Sequence, residues 1–340
     1  MLLEGLLLPL TTPFFADGRL NLNKLEQNIE RYSKTPAAGL IALARTGEPS
    51  MLSDEEARLV LTSAAGAAAR EKVLVAGVSR DSVRGTLDMA EHAGKAGFDA
   101  VLVKRPGVLR DARLDREALG YFLMVADRSA LPVVLGSDAD APLPVEMVAE
   151  LAGHSRILGI VDADAGDERA EVIAAKTGAV KREVAVTHVF AAVTGRMQLQ
   201  GEGMVSAAAL TGGPVTAVAP AIRTRTKVVG FQRLAGGTGS MLDGLRGGVV
   251  GAAVPFAACA PQACYEVLAA WKDGDEALAA EKQHRLLDIA RRIEGDLGVA
   301  GIKYGCDLNG FYGGPARSPI MPLSGSERAE VEALMHGIRN

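Results

Sequence analysis

Short apolar runs alternate with amphipathic stretches through the first half of this chain, and that rhythm limits the fold more than any other feature. The runs "GLLLPLTTPF" (5–14), "GLIALARTG" (39–47), "KVLVAGVS" (72–79), "DAVLVKRPG" (99–107), "LPVVLGSDAD" (131–140) and "RILGIVDAD" (156–164) read as strands. Helical spacing fills the gaps at 22–34, 53–71, 82–97, 115–129 and 144–154. Strand, helix, strand with short connections is the mark of parallel βαβ units. The runs are almost continuously apolar, as expected of strands buried on both faces. Ser53-Asp54-Glu55-Glu56 carries a capping box that fixes one helix start. Six such units by about residue 165 extrapolate to eight, an α/β chain closed into a (β/α)8 TIM barrel. An open doubly wound sheet is the alternative, but its glycine-rich phosphate turn is absent from "PLTTPFFADG" after the first strand.

Beyond residue 180 the rhythm blurs. Both "REVAVTHVFAAV" (182–193) and "TKVVGFQRLAGG" (226–237) read as strands, and one of them is the seventh barrel strand. The other belongs to an insertion at about 194–226, long enough to be a lid or a partner contact. In it, "AIRTRTK" puts Arg223, Arg225 and Lys227 on one side of an extended segment, facing an anionic ligand, a neighbouring subunit or solvent. "RGGVVGAAVP" (246–255) supplies the eighth strand. The barrel is expected to span 1–256, and a helical C-terminal extension 257–340.

Composition removes several function classes. The net charge is −4 and the basic residues are scattered, against a nucleic-acid surface. Aromatic residues make up 4%, too few for base-stacking platforms. Three cysteines without a Cys-x-x-Cys pair fit a reducing, cytoplasmic setting rather than a disulfide framework or structural zinc. The apolar N-terminus is interrupted by Glu4 and Pro9, so it reads as a buried strand rather than a signal peptide. No run approaches the roughly 18 apolar residues of a membrane span.

"PLTTPFFADGRLN", "ARTGEPSMLSDEEARLV", "AEHAGKAGFDAVLVKRP", "LPVVLGSDADAPLPVEMVAELA", "ILGIVDADAGDERAEVI" and "GIKYGCDLNGFYGGPARSPIMPLS" follow one another in this order. Together they resemble the dihydrodipicolinate synthase and N-acetylneuraminate lyase family of pyruvate-type Schiff-base aldolases. The resemblance implies the barrel, a homodimer or homotetramer, a small oxo or hydroxy acid as substrate, and no organic cofactor. It also implies a lysine at the end of the sixth strand that forms an imine with a 2-oxo acid. Here that position is Val161, which has no nucleophile. Gly136 stands where the family's fifth strand usually carries a Tyr, and Pro106-Gly107-Val108 replaces Pro-Tyr-Tyr. Arg45 replaces the first Thr of Gly-Thr-Thr-Gly-Glu, while Thr46, Gly47 and Glu48 remain and by resemblance belong to the substrate-binding turn. The changes concentrate at strand C-terminal ends, where barrel active sites lie.

Several residues can work in the altered site. Lys104, at a strand C-end, is a relocated Schiff-base lysine or the partner of a carboxylate. Asp138 and Asp140 follow the fifth strand and Asp162 and Asp164 the sixth, so the two pairs can converge on Mg²⁺ or Mn²⁺, or cap helices. Asp162 is also a candidate catalytic residue, and Asp138 a substrate-binding one. Arg45 can bind a carboxylate or phosphate, or pair with Glu48 or an aspartate. His188 is a candidate base if 182–193 is the seventh strand. Lys303 matches a lysine of the family's C-terminal segment and is read as structural. The functional alternatives are a lyase without the usual strand-six imine, a non-catalytic binding or structural descendant, and dihydrodipicolinate synthase itself. The missing Lys and Tyr argue against the last.

Overall fold

The computed structural model describes residues 1–163, 167–187, 193–198 and 224–338. The strands are β1 (Gly5–Pro9), β2 (Gly39–Ala42), β3 (Val73–Gly77), β4 (Ala100–Lys104), β5 (Val133–Ser137), β6 (Ile157–Asp162), β7 (Arg182–Thr187), β8 (Thr224–Val229), β9 (Gln232–Ala235) and β10 (Gly251–Ala252). The helices are α1 (Leu22–Ser33), α2 (Asp54–Ala67), α3 (Val83–Ala96), α4 (Asp115–Arg128), α5 (Val145–Ala152), α6 (Asp167–Thr177), α7 (Gly195–Gln198), α8 (Met241–Arg246), α9 (Pro261–Lys272), α10 (Glu276–Ala290), α11 (Gly298–Leu308) and α12 (Gly325–Met335). Between α10 and α11 the chain makes a π-helical turn, Arg291–Asp296.

Eight parallel strands close in the order β1-β10-β9-β6-β5-β4-β3-β2, with β1 paired to both β10 and β2. This is the expected TIM barrel, and α9 to α12 form its helical extension. The barrel strands are buried nearly throughout, because helices cover the outside and side chains fill the lumen. Leu7, Ile41, Val75, Leu102, Val134 and Leu234 belong to the inner cluster. Leu40, Val101, Val103, Leu135 and Ile160 face the helices. Ser53 and Glu56 close the expected capping box at the start of α2.

The seventh barrel strand is β9, and the described part of the earlier run, 182–187, lies elsewhere. β7 pairs antiparallel with β8 in a separate two-stranded ribbon. Along β7, Glu183 and Ala185 are exposed while Val184 and Val186 are buried. That alternation suits a ribbon with one covered face, not a strand enclosed on both. The inserted segment therefore begins before 182 and ends after 229, wider than the expected 194–226.

The described part of the insertion lies at the N-terminal ends of the barrel strands. Val184 and Val186 pack with Leu2 and Leu3 into the bottom of the lumen. Arg182 donates to the carbonyls of Ala152 and His154 just before β6, at 2.7 and 2.8 Å. Arg196 donates to the carbonyls of Ala65, Ala68, Ala69 and Lys72 between α2 and β3. These carbonyls include the orphan acceptors of a helix C-terminus, which a guanidinium fork satisfies well. Lys227 pairs with Glu4 at 2.8 Å, so it is not offered to a ligand, and Arg223 lies outside the described residues. The described insertion is thus a strap across the barrel floor, opposite the mouth, where a lid would have no site to cover.

Candidate active site

The mouth is built from one layer of side-by-side residues on neighbouring strands. Lys104 is in register with Gly136, Gly136 with Val161, and Val161 with Leu234. Residues in register on parallel strands project to the same face. Val161 packs against the inner cluster, so this face is the lumen.

Glycine at 136 leaves room that Lys104 occupies. A Cβ there would stand 2.7 Å from Lys104 Cγ and 3.3 Å from its Cε. The lysine stem crosses strand β5 and delivers Nζ to Asp138, 2.5 Å from Oδ1. The side chains are 25% and 21% exposed, so the pair is shielded yet reachable. Lys104 also lines a cavity of about 50 Å³ with Leu43, Pro49, Gly77, Ser79 and Leu102. That space admits water beside the lysine. A wider cleft of about 660 Å³ opens between residues 15–20 and 315–318, away from this layer. The Arg317 and Glu56 side chains in its wall are already paired to each other.

The other aspartates do not join Asp138. Asp140 lies between two guanidinium groups, 3.8 Å from Arg45 and 3.3 Å from Arg110. Asp162, one residue past lumen-facing Val161, points outward by the alternation of the strand and pairs with Arg169 of α6 at 2.9 Å. It is buried and does not face the mouth, which corrects its expected catalytic role. Among the described residues no group of three His, Cys, Asp or Glu could hold a metal ion. Asp138, Asp140 and Asp162 each face a cation instead of one another, so these three do not assemble the expected Mg²⁺ or Mn²⁺ site. Asp164 lies outside the described residues, as does His188. The premise for His188 is also gone, since β7 is not a barrel strand.

The retained Thr46-Gly47-Glu48 turn is bonded into the scaffold. The Thr46 hydroxyl lies 3.1 Å from the carbonyls of Pro9 and Leu10, and the Gly47 carbonyl accepts from Thr12 Oγ1 at 2.7 Å. Glu48 takes a left-handed backbone (φ 52°) and turns its carboxylate inward onto Lys303. Both side chains are 1% exposed. Lys303 Nζ also donates to Pro315 O at 2.8 Å, and Arg317 N donates to Glu48 Oε2 at 2.8 Å. Phe14 carries Lys303 and Arg317 over its ring at 4.4 and 4.6 Å. Burial lowers the Lys303 pKa, opposed by the neighbouring Glu48 carboxylate. This buried pair fastens the C-terminal extension to the loops after β1 and β2.

One mouth residue escaped the sequence reading. Glu294, in the π-helical turn, accepts from Thr238 N at 3.3 Å and Phe256 N at 3.2 Å, and from the Thr238 hydroxyl. Thr238 and Phe256 follow β9 and β10, so the extension places a carboxyl over the ends of the seventh and eighth barrel strands. Burial raises its pKa, against these hydrogen bonds and the charge of Arg45. In the sequence it sits within "ARRIEGD", a charged run that reads as solvent-facing; only the π turn marks it.

The closed parallel barrel with a charged, part-buried C-terminal mouth defines a TIM-barrel protein with a site where such barrels carry their chemistry. The chain belongs to the dihydrodipicolinate synthetase family, whose profile matches residues 2–213 and 213–338. The 4-hydroxy-tetrahydrodipicolinate synthase of Acidiphilium cryptum is 27% identical over 338 residues, covering 98% of both chains. That of Xanthomonas axonopodis pv. citri is 35% identical over 179 residues, 52% of this chain and 58% of its own. YagE, a prophage protein of the dihydrodipicolinic acid synthase family from E. coli K12, solved with pyruvate, superposes with a TM-score of 0.78 at 24% identity over 99% of both chains. The chloride-inhibited dihydrodipicolinate synthase of Acinetobacter baumannii, also solved with pyruvate, gives 0.78 at 19% identity, over 99% of this chain and 100% of that one. Among the described residues no helix is long and apolar enough to cross a membrane.

Proposed function

We propose that this protein is a lyase acting on a small 2-oxo acid, with Lys104 as the imine-forming lysine in place of the residue lost at Val161. The observation that carries the reading is the path of Lys104 across Gly136 to Asp138, in the same lumen-facing layer as Val161. Two structural relatives were solved with pyruvate, which supports a 2-oxo acid as the substrate class.

The chemistry follows from the pair. Asp138 Oδ1 lies within hydrogen-bond reach of Nζ and accepts one ammonium proton. The freed amine attacks the C2 carbonyl, Asp138 returns the proton to the carbinolamine hydroxyl as water leaves, and the iminium then draws electrons from C3 as the Asp138 carboxylate takes up the C3 proton. The resulting enamine carbon bonds to an aldehyde, or the reverse cleavage releases one. Arg45 offers a guanidinium at the same mouth for an anionic group of the substrate. The reading calls for no organic cofactor and no metal. The homodimer or homotetramer implied by the family resemblance belongs to the same proposal.

Reduction with borohydride in the presence of pyruvate tests it. The expected result is a pyruvate adduct on Lys104 by peptide mass mapping, absent from Lys104→Met. Protein with no adduct on any lysine would overturn the reading and favour a non-catalytic binding protein on the same barrel.

A further inference from the structure

The rim above Lys104 is bridged by charge. Arg45 follows β2, Arg110 lies in the loop after β4, and Asp140 in the turn after β5. The bridge spans the end of β3, where Gly77 and Ser79 line the small cavity with Lys104. Arg45 is 71% exposed, Arg110 53% and Asp140 52%, and their contacts are long at 3.8 and 3.3 Å. Exposed ion pairs of this kind contribute only about 0–1 kcal/mol. Two guanidinium groups share the Asp140 carboxylate, and the charge of Arg45 also reaches Glu294. Below it, Lys104 is paired with Asp138.

We propose that Arg45 and Arg110 form a rim subsite for a second anionic group, and that Asp140 is its built-in, displaceable occupant. The preferred substrate is then a 2-oxo acid carrying a carboxylate or phosphate at its far end. That group takes the place of Asp140 between the two guanidinium groups, and the turn after β5 moves aside as it enters. An uncharged far end cannot displace Asp140, which gives selection by charge rather than by shape. The inference rests on the Lys104 reading for its substrate class, but the subsite itself needs no covalent step.

Calorimetric titration with succinate, a dicarboxylate without a keto group, tests the subsite directly. Wild-type protein is expected to bind succinate, and Arg45→Met and Arg110→Met to weaken it roughly tenfold each, the loss of one charge-assisted contact. Asp140→Asn removes the competitor and is expected to tighten binding. Absence of succinate binding, affinities in both arginine variants equal to wild type, or weaker binding by Asp140→Asn would each overturn the proposal. Pyruvate trapping on the same samples separates the two ideas. Loss of the Lys104 adduct alone counts against the imine, and loss of the succinate pattern alone counts against the rim subsite.

Discussion

Lys104 lies across Gly136, with its Cγ 2.7 Å from where a β-carbon would sit. The glycine on β5 and the lysine on β4 are therefore one feature. Where the family resemblance places a tyrosine side chain, this chain places the stem of a lysine from the neighbouring strand. Val161 and Lys104 lie in the same layer of the lumen.

Gly136→Ala tests that dependence. The added methyl forces the lysine stem aside, at a cost of about 1–3 kcal/mol for overpacking. Pyruvate trapping on Lys104 is expected to fall steeply while the far-ultraviolet circular dichroism stays that of the wild type. A variant that traps pyruvate as well as wild type would show that the stem does not need the space.

The Lys303–Glu48 pair is expected to behave as a buried ion pair. Lys303→Met alone leaves a carboxylate buried without its partner and should cost about 3–5 kcal/mol. Adding Glu48→Gln removes the stranded charge and should restore much of that loss. Urea unfolding of the two variants measures the difference. Equal destabilisation by the single and the double variant would mean that the charges are not coupled.

Glu294 gives a pH dependence of stability with a defined sign. Its folded pKa is raised above the ordinary carboxyl range by burial, so the native state holds its proton over a range where the unfolded chain has released it. Its contribution is greatest below pH 4.5 and is lost as pH rises through the folded value. Glu294→Gln is expected to flatten that part of the curve, while keeping oxygen acceptance from Thr238 and Phe256. Denaturant unfolding at a series of pH values compares the slopes.

Arg196→Ala should destabilise without touching the mouth. It strips the guanidinium from four carbonyls between α2 and β3, and hydrogen bonds to a charged group are worth about 1.5–3 kcal/mol each, not additively. A loss of about 2–4 kcal/mol is expected, with pyruvate trapping on Lys104 unchanged. A variant with normal stability would mean that the strap is not held by this residue.

The sequence by itself determined the barrel. Strands β1 to β6 are short apolar runs between amphipathic helices, and burial on both faces leaves such runs few other places to go. It could not choose the seventh strand, because β9 is "QRLA", with two long polar side chains at its start. They are buried only because partners far along the chain satisfy them. Gln232 bonds Leu3 N and Met1 O, and Arg233 donates to Ala170 O and Gly247 O. The same holds for the site. The replacements at Val161, Gly136 and Arg45 were readable, since each breaks a family motif in one place. Which carboxylate meets which cation was not readable, because that depends on the face each residue presents. Asp138 lies two residues past lumen-facing Gly136 and joins Lys104, whereas Asp162 lies one residue past lumen-facing Val161 and turns to α6. Glu294 reaches the mouth only because the helical extension folds back over β9 and β10. Local pattern fixes which segments are buried; the closure of the barrel decides which side chains meet.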